Sequence, residues 1–137
     1  MASYKIVKGL PSAAQWMALR ESVGWATFPK ETADKSLAAT SFCVCAYEGD
    51  RLIGMGRVLG DGVFTFYIGN VMVVPDHQGE GIGREIMAVI MDYVDECACP
   101  GAIASLLSIS GSEDFYVQFG FEKRPNELRG CGMSKHY

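Results

Sequence analysis

The spacing of apolar residues changes period several times along the chain, and each change predicts an element. Tyr4, Ile6 and Leu10 fall on alternating positions in SYKIVKGL, the mark of a short first strand. Ser12 and Gln15 then have capping-box spacing, and Trp16, Leu19 and Val23 recur every three or four residues, so a helix runs to Gly24. A second short helix is expected from about Lys30 to Thr40, started by Pro29 and rich in alanine. FCVCAY and RLIGMGRVL read as two strands of a hairpin turned at Glu48-Gly49-Asp50, and Gly60-Asp61-Gly62 makes the next turn. VFTFYIGNVMVV is a long β-branched and aromatic strand with a bulge expected at Gly69-Asn70.

Beyond Pro75 the period becomes helical. Ile82, Ile86, Val89, Ile90, Tyr93 and Val94 line one face of a helix ending near Cys97. AIASLLSI is apolar enough to predict a strand buried on both faces. Glu113 to Phe119 is a short helix closed by Gly120, FEKR returns as a strand, and GCGMSKHY is expected to close the sheet. The order βααβββαβαββ makes the fold class mixed α/β, and residues 1–137 are expected to form a single domain.

Composition narrows the function. Hydrophobic residues make up 49% and charged residues 20%, as in a globular protein. A net charge of −4 without a basic run argues against nucleic acid and would suit a cationic substrate. No long apolar stretch follows a basic start, so neither secretion nor a membrane span is expected, and the expected location is cytoplasmic. Five cysteines include two C-x-C pairs, a spacing shorter than zinc sites use; Cys43 and Cys45 read as core packing, and no metal is expected.

The chemistry concentrates in VVPDHQGEGIGREIM. A strand ending at Pro75 feeds a helix through Gly79, Gly81 and Gly83, which leaves backbone N–H groups and the positive end of the helix dipole free for an anion such as a phosphate. A tight structural turn is the alternative use of these glycines. The P-loop pattern lacks its Lys-Ser/Thr pair, and the G-x-G-x-G spacing is not the dinucleotide fingerprint.

This segment resembles motif A of the GCN5-related N-acetyltransferases (GNAT), in which Gln or Arg is followed by two residues, Gly, one residue, and Gly or Ala. Gln78, Gly81 and Gly83 fit, and Val73 with Pro75 matches the V-x-P before it. DFYVQFGFEKRP resembles the family's second signature through Phe115, Tyr116, Gly120 and Phe121. The tail EKRPNELRGCGMSKHY is similar to small members that include serotonin N-acetyltransferase-like enzymes.

The resemblance implies a mixed, mostly antiparallel GNAT sheet, splayed between its fourth and fifth strands and flanked by about four helices. It implies acetyl-CoA as cosubstrate, with the pantetheine arm beside Val71, Met72 and Val73, and the pyrophosphate held from Gln78 through Gly79, Gly81, Ile82 and Gly83 to Arg84. The resemblance also implies Ser110 as a further contact of the cofactor, with an ordinary polar loop as the alternative reading of the serines in SISGS. Tyr116 is the implied general acid for the leaving thiolate, with packing against the cofactor as its plainer role, and a backbone N–H near Val71 or Met72 would meet the developing oxyanion.

Trp25 and Phe28 would wall the acceptor pocket, although large aromatics are also core residues. Tyr67 and Asn70 would order a water beside the amine. The strand before motif A carries no carboxylate, His77 precedes the turn and Asp61 sits in a loop, so no side-chain base is assigned. The expected function is acetyl transfer to a primary amine by direct attack, with a small aryl-alkyl amine as first choice. A peptide or protein amine, and a non-catalytic acyl-CoA-binding protein, are the alternatives. The C-terminal segment is able to pair across a homodimer as readily as within its own sheet.

Overall fold

The structure, a computed structural model, describes residues 3–137. Five strands form one sheet in chain order: β1 (Lys5–Lys8), β2 (Phe42–Glu48), β3 (Arg51–Gly60), β4 (Thr65–Val73) and β5 (Ile103–Ser105). Neighbours from β1 to β4 are antiparallel, whereas β5 joins β4 in parallel. The helices are α1 (Ala13–Ser22), α2 (Lys30–Ala38), α3 (Ile82–Cys97) and α4 (Glu113–Val117), with a 3-10 turn at Pro75–His77.

Local sequence explains the entry points of the helices. The expected capping box on α1 is formed, with the Gln15 N–H donating to Ser12 Oγ at 3.1 Å and the Ser12 N–H donating to Gln15 Oε1 at 2.9 Å. The turn between β2 and β3 has Gly49 at φ 60°, where a side chain would strain the backbone.

The two faces of the sheet carry different helices. On one, α3 lies so close to β3 that a Cβ on Gly56 would stand 2.7 Å from Ile90 Cδ1 and 3.0 Å from Ile86 Cγ2. Phe42 stacks on Tyr93 with centroids 4.3 Å apart, and Phe66 meets the same ring edge-on. Strand alternation turns Arg57, next to Gly56, to the other face, where it meets Trp16 of α1 and Ser36 of α2. The core spans both faces, from Trp16 and Leu19 through Ile53 and Met55 to Ile86 and Ile90.

The irregularity expected at Gly69-Asn70 is present. Arg57 pairs with Gly69 and Met55 with Met72, so Gly56 faces two residues of β4, and Asn70 takes φ 55°. The extra residue reverses the alternation: Phe66 lies on the α3 face, and beyond the bulge so does Val71. The splay is present as well. β4 and β5 pair only as Thr65↔Ile103, Phe66↔Ala104 and Tyr67↔Ser105, and beyond that point the ladder stops.

Three expectations are corrected. AIASLLSI is not a strand buried on both faces: β5 has three residues, and Ile103, Leu107 and Ile109 are 60%, 54% and 59% exposed. Apolar content alone called for cover, but among the described residues only β4 pairs with this strand. FEKR is not a strand either. Its one apolar residue precedes three charges and Pro125, and Asn126 folds the backbone into a local turn by accepting the N–H groups of Leu128 and Arg129 at 3.0 Å. GCGMSKHY forms no strand and is exposed throughout, its two glycines and polar side chains giving no apolar face to bury.

Candidate active site

The glycine-rich turn is fastened at several points. The Gln78 side-chain amide donates to the Val73 carbonyl at 2.9 Å, tying the turn to the last residue of β4. Arg51 grips Asp76 through two bonds of 2.9 and 3.0 Å. His77 Nδ1 lies 3.1 Å from Glu80 and its Nε2 lies 3.1 Å from Glu48, and the hydrogen bond to Glu80, followed by that to Glu48, raises the imidazole above its ordinary pKa. His77 thus braces the turn against the β2–β3 hairpin.

Gly79 and Gly81 take φ 84° and 85°, in the left-handed region that side chains disfavour. Gly81 caps α3, whose first intrahelical bond runs from the Glu85 N–H to the Gly81 carbonyl. The N–H groups of Ile82, Gly83 and Arg84 therefore point out of the helix end with no backbone acceptor among the described residues. They fit a diphosphate. The nearby acids are engaged, Glu80 by His77 and Glu85 by the Tyr4 hydroxyl at 2.9 Å. The Ile82 side chain is buried, so only its backbone is available, while Arg84 is exposed at the mouth.

From Ile68 to Val73 the edge of β4 that faces β5 has no strand partner among the described residues, which leaves backbone groups for an extended ligand arm. Val71 and Val73 are half-buried toward α3, and Met72 is buried on the opposite face. Of these three residues, Met72 offers only its main chain.

The far wall is α4. Phe115 lies 3.5 Å from where a Cβ on Gly83 would be, so α4 packs on the glycine turn itself. Tyr116 meets Phe115 and Phe121 edge-on and is half-buried; burial, then the neighbouring Tyr67, pushes its phenol above the ordinary pKa. A cavity of about 890 Å³ opens between β5, α4 and the C-terminal segment, with Tyr116 in its wall. Ser110 is exposed in the loop before α4 with no hydrogen-bond partner among the described residues, whereas the Ser108 hydroxyl is bound to the Ile109 carbonyl.

The expected acceptor residues fall into two groups. Tyr67 covers Gly69 beside Asn70 and near Tyr116. Trp25 and Phe28 instead gather with Trp16 around the Arg20 guanidinium, whose carbon lies 5.5, 5.1 and 5.8 Å from the respective ring centroids. Arg57 joins the groups, since it stands opposite Gly69 and lies 4.9 Å over the Trp16 ring. Sequence reasoning passed over Arg57 and Arg20; the signal was a single arginine inside the apolar run LIGMGRVL.

Asp61 accepts the N–H groups of Val63, Phe64 and Thr65 and serves its loop. Cys43 and Cys45 lie side by side in the core with sulfurs 4.0 Å apart, and Cys45 donates to the Gly9 carbonyl.

Comparison with known proteins bears on this geometry. A family model described as "Acetyltransferase (GNAT) family" matches residues 10–121. The crystal structure of SA2161 from Staphylococcus aureus superimposes with a TM-score of 0.89 at 36% identity, over 98% of this chain and 99% of that one. The uncharacterized N-acetyltransferase ycf52 of Porphyra purpurea is 28% identical over 119 residues, 82% of this chain. The chain spans less than two thirds of the length of the curated relatives it matches, 66% of the Porphyra protein and 63% of a Prochlorococcus marinus one. Arabidopsis thaliana Naa50, solved with a bisubstrate analogue CoA-Ac-MVNAL, shares the fold at 22% identity, with a TM-score of 0.72 over 90% of this chain and 86% of that one.

Proposed function

The chain belongs to the GNAT acetyltransferase family, and from that premise we propose that it transfers an acetyl group from acetyl-CoA to a primary amine by direct attack. The observation that carries the reading is the pairing of two features across one opening: free amides at the start of α3, and the half-buried Tyr116 on the helix packed against them.

Acetyl-CoA supplies an activated thioester, and the rest falls to the residues of the chain. The N–H groups of Ile82, Gly83 and Arg84 hold its diphosphate. The unpaired edge of β4 from Ile68 to Val73 holds the extended arm, and an N–H near Val71 or Met72 meets the charge that develops on the carbonyl oxygen. A neutral amine forms the new C–N bond as the C–S bond breaks. Tyr116, kept protonated by burial, gives its proton to the departing sulfur. The surplus proton on nitrogen leaves to water beside Tyr67 and Asn70, since β4 has no carboxylate.

The acceptor in this reading is a small amine, and the aromatics Trp16, Trp25 and Phe28 favour one with an aryl group. The exposed Ile103, Leu107, Leu128 and Met133 favour a second copy of the chain as cover for the β5 side. The test is release of free CoA over a panel of amines and short peptides, with Tyr116→Phe alongside. We expect turnover with one amine class, lowered roughly 100-fold or more in the variant, with acetyl-CoA still raising its melting temperature. Unchanged turnover in the variant would remove Tyr116 from the chemistry, and acetyl-CoA binding without turnover by the wild type would favour the non-catalytic alternative.

A further inference from the structure

A buried cation normally sits against an acid. Arg57 is 3% exposed, yet no carboxylate lies within ion-pair distance of it or of Arg20 among the described residues. Both guanidinium carbons stand within 6 Å of the Trp16 ring centroid, at 4.9 and 5.8 Å. Two like charges share one aromatic ring with nothing of opposite sign between them. Burial lowers the pKa of both; at Arg57 the cross-strand neighbour Cys43 offsets part of this, and the charge of Arg20 adds to the lowering. Arginine nevertheless keeps its proton, so the repulsion stays in the folded protein.

The hydrogen-bond inventory points the same way. Arg57 Nη1 donates to Ser36 Oγ at 3.3 Å, Nη2 donates to Ser36 Oγ and the Ser36 carbonyl at 3.2 and 3.3 Å, and Arg20 Nε donates to the Ala26 carbonyl at 2.6 Å. Arg57 Nε and Trp16 Nε1 are buried donors with no acceptor among the described residues. Donors are in excess in this cluster, and a group rich in acceptors would complete it.

Position supplies the functional link. Arg57 pairs with Gly69, which has no side chain to stand between it and Tyr67, and Tyr67 neighbours Tyr116. The cluster lies on the α1 and α2 face, beside the bulge where β4 leaves the ladder. The guanidiniums thus lie on the Tyr67 side of β4, the side on which the acetyl-transfer reading puts the amine.

We infer that the acceptor amine carries an anionic group, a carboxylate or phosphate, which binds between Arg57 and Arg20 on the Trp16 side of the sheet. The inference rests on the acetyl-transfer reading for its amine, but the anion site stands on the arginine cluster alone. Arg20 is half-exposed and would receive the anion first, and Arg57 would anchor it beneath. Bidentate geometry suits either anion.

The experiment compares matched amines with and without the charge, tyrosine against tyramine and glucosamine 6-phosphate against glucosamine, in CoA release by the wild type, Arg20→Gln and Arg57→Lys. The anionic member of at least one pair should be preferred about tenfold or more in kcat/KM, and each variant should raise its KM by a similar factor while the neutral member changes little. Preference for the neutral members, or equal losses for both members in Arg20→Gln, would overturn the inference. Should no amine turn over, inorganic phosphate added with saturating CoA gives a second readout. A rise in melting temperature that Arg20→Gln abolishes supports the anion site even as the acetyl-transfer reading fails, and no rise overturns it. Arg20 is outside the core, so its variant reports on binding even where Arg57→Lys folds poorly.

Discussion

Along β4, Phe66 and Ile68 are at most 2% exposed, and α3 beside it buries Ile86, Met87 and Ile90 completely. Along β5 and the segments after it, Ile103, Val117, Leu128 and Met133 are 60%, 45%, 86% and 90% exposed. The two sides of one opening are thus built to different standards. The β4 and α3 side is held by a ladder to β3 and by glycines that let a helix lie on the sheet. The β5 and α4 side is held by three residue pairs, by the contact of Phe115 with the glycine turn, and by partly buried side chains such as Leu106, Tyr116, Phe119 and Phe121. The well-packed side carries the free amides and the loosely held side carries Tyr116. A ligand lying between them would supply the contacts that the β5 side lacks, so on the proposed reading binding and ordering of the Tyr116 wall are expected to be one event.

The sharpest way to break this division is at the start of α3. Gly81→Val puts a β-branched residue at φ 85° and tilts the amides at residues 82–84. We expect acetyl-CoA binding, followed by calorimetric titration, to weaken roughly 100-fold, the worth of one or two hydrogen bonds to a charged acceptor. An unchanged affinity would move the diphosphate elsewhere.

A second pair of substitutions contrasts the packing directly. Gly56→Val drives a side chain into Ile90 and Ile86 at 2.7 and 3.0 Å and should cost about 1–3 kcal/mol in urea unfolding. Gly132→Val meets only Leu107, at 3.5 Å, and should stay within about 0.5 kcal/mol of the wild type. Equal losses at both positions would erase the contrast.

The smallest effect concerns the brace behind the turn. His77 has its pKa raised in the folded state by Glu80 first and Glu48 next, so its contribution is complete below the unfolded value of about 6.5 and is lost as pH rises through the folded value. The melting-temperature difference between wild type and His77→Gln should therefore be largest in mild acid and shrink in mild base. A difference that grows with pH would contradict the ion-pair account.

The legible parts of the fold were those whose neighbours are local. Ile82, Ile86, Ile90 and Val94 announced α3 by their spacing and are buried along it, and Ser12 with Gln15 announced the cap of α1. Gly69-Asn70 betrayed the bulge because few other residue pairs accept that backbone. The glycine turn was equally readable, although the Gln78 side chain turned out to hold Val73. What failed depends on distant partners. AIASLLSI and GCGMSKHY carry strand-like or neutral patterns, and no local signal says whether a second edge exists to pair with. Arg57 escaped notice for the same reason, since its meaning comes from Trp16 and Arg20, which reach it only in the folded chain.

The claim that one side is prebuilt and the other completed by ligand is tested most directly by amide hydrogen exchange with and without acetyl-CoA. The β4 and α3 side should exchange slowly in both states, with added protection confined to residues 71–73 and 82–84. Residues 103–117 should exchange quickly alone and become strongly protected when acetyl-CoA is present. Equal protection of residues 103–117 in the two states, or protection induced only outside both regions, would contradict the account.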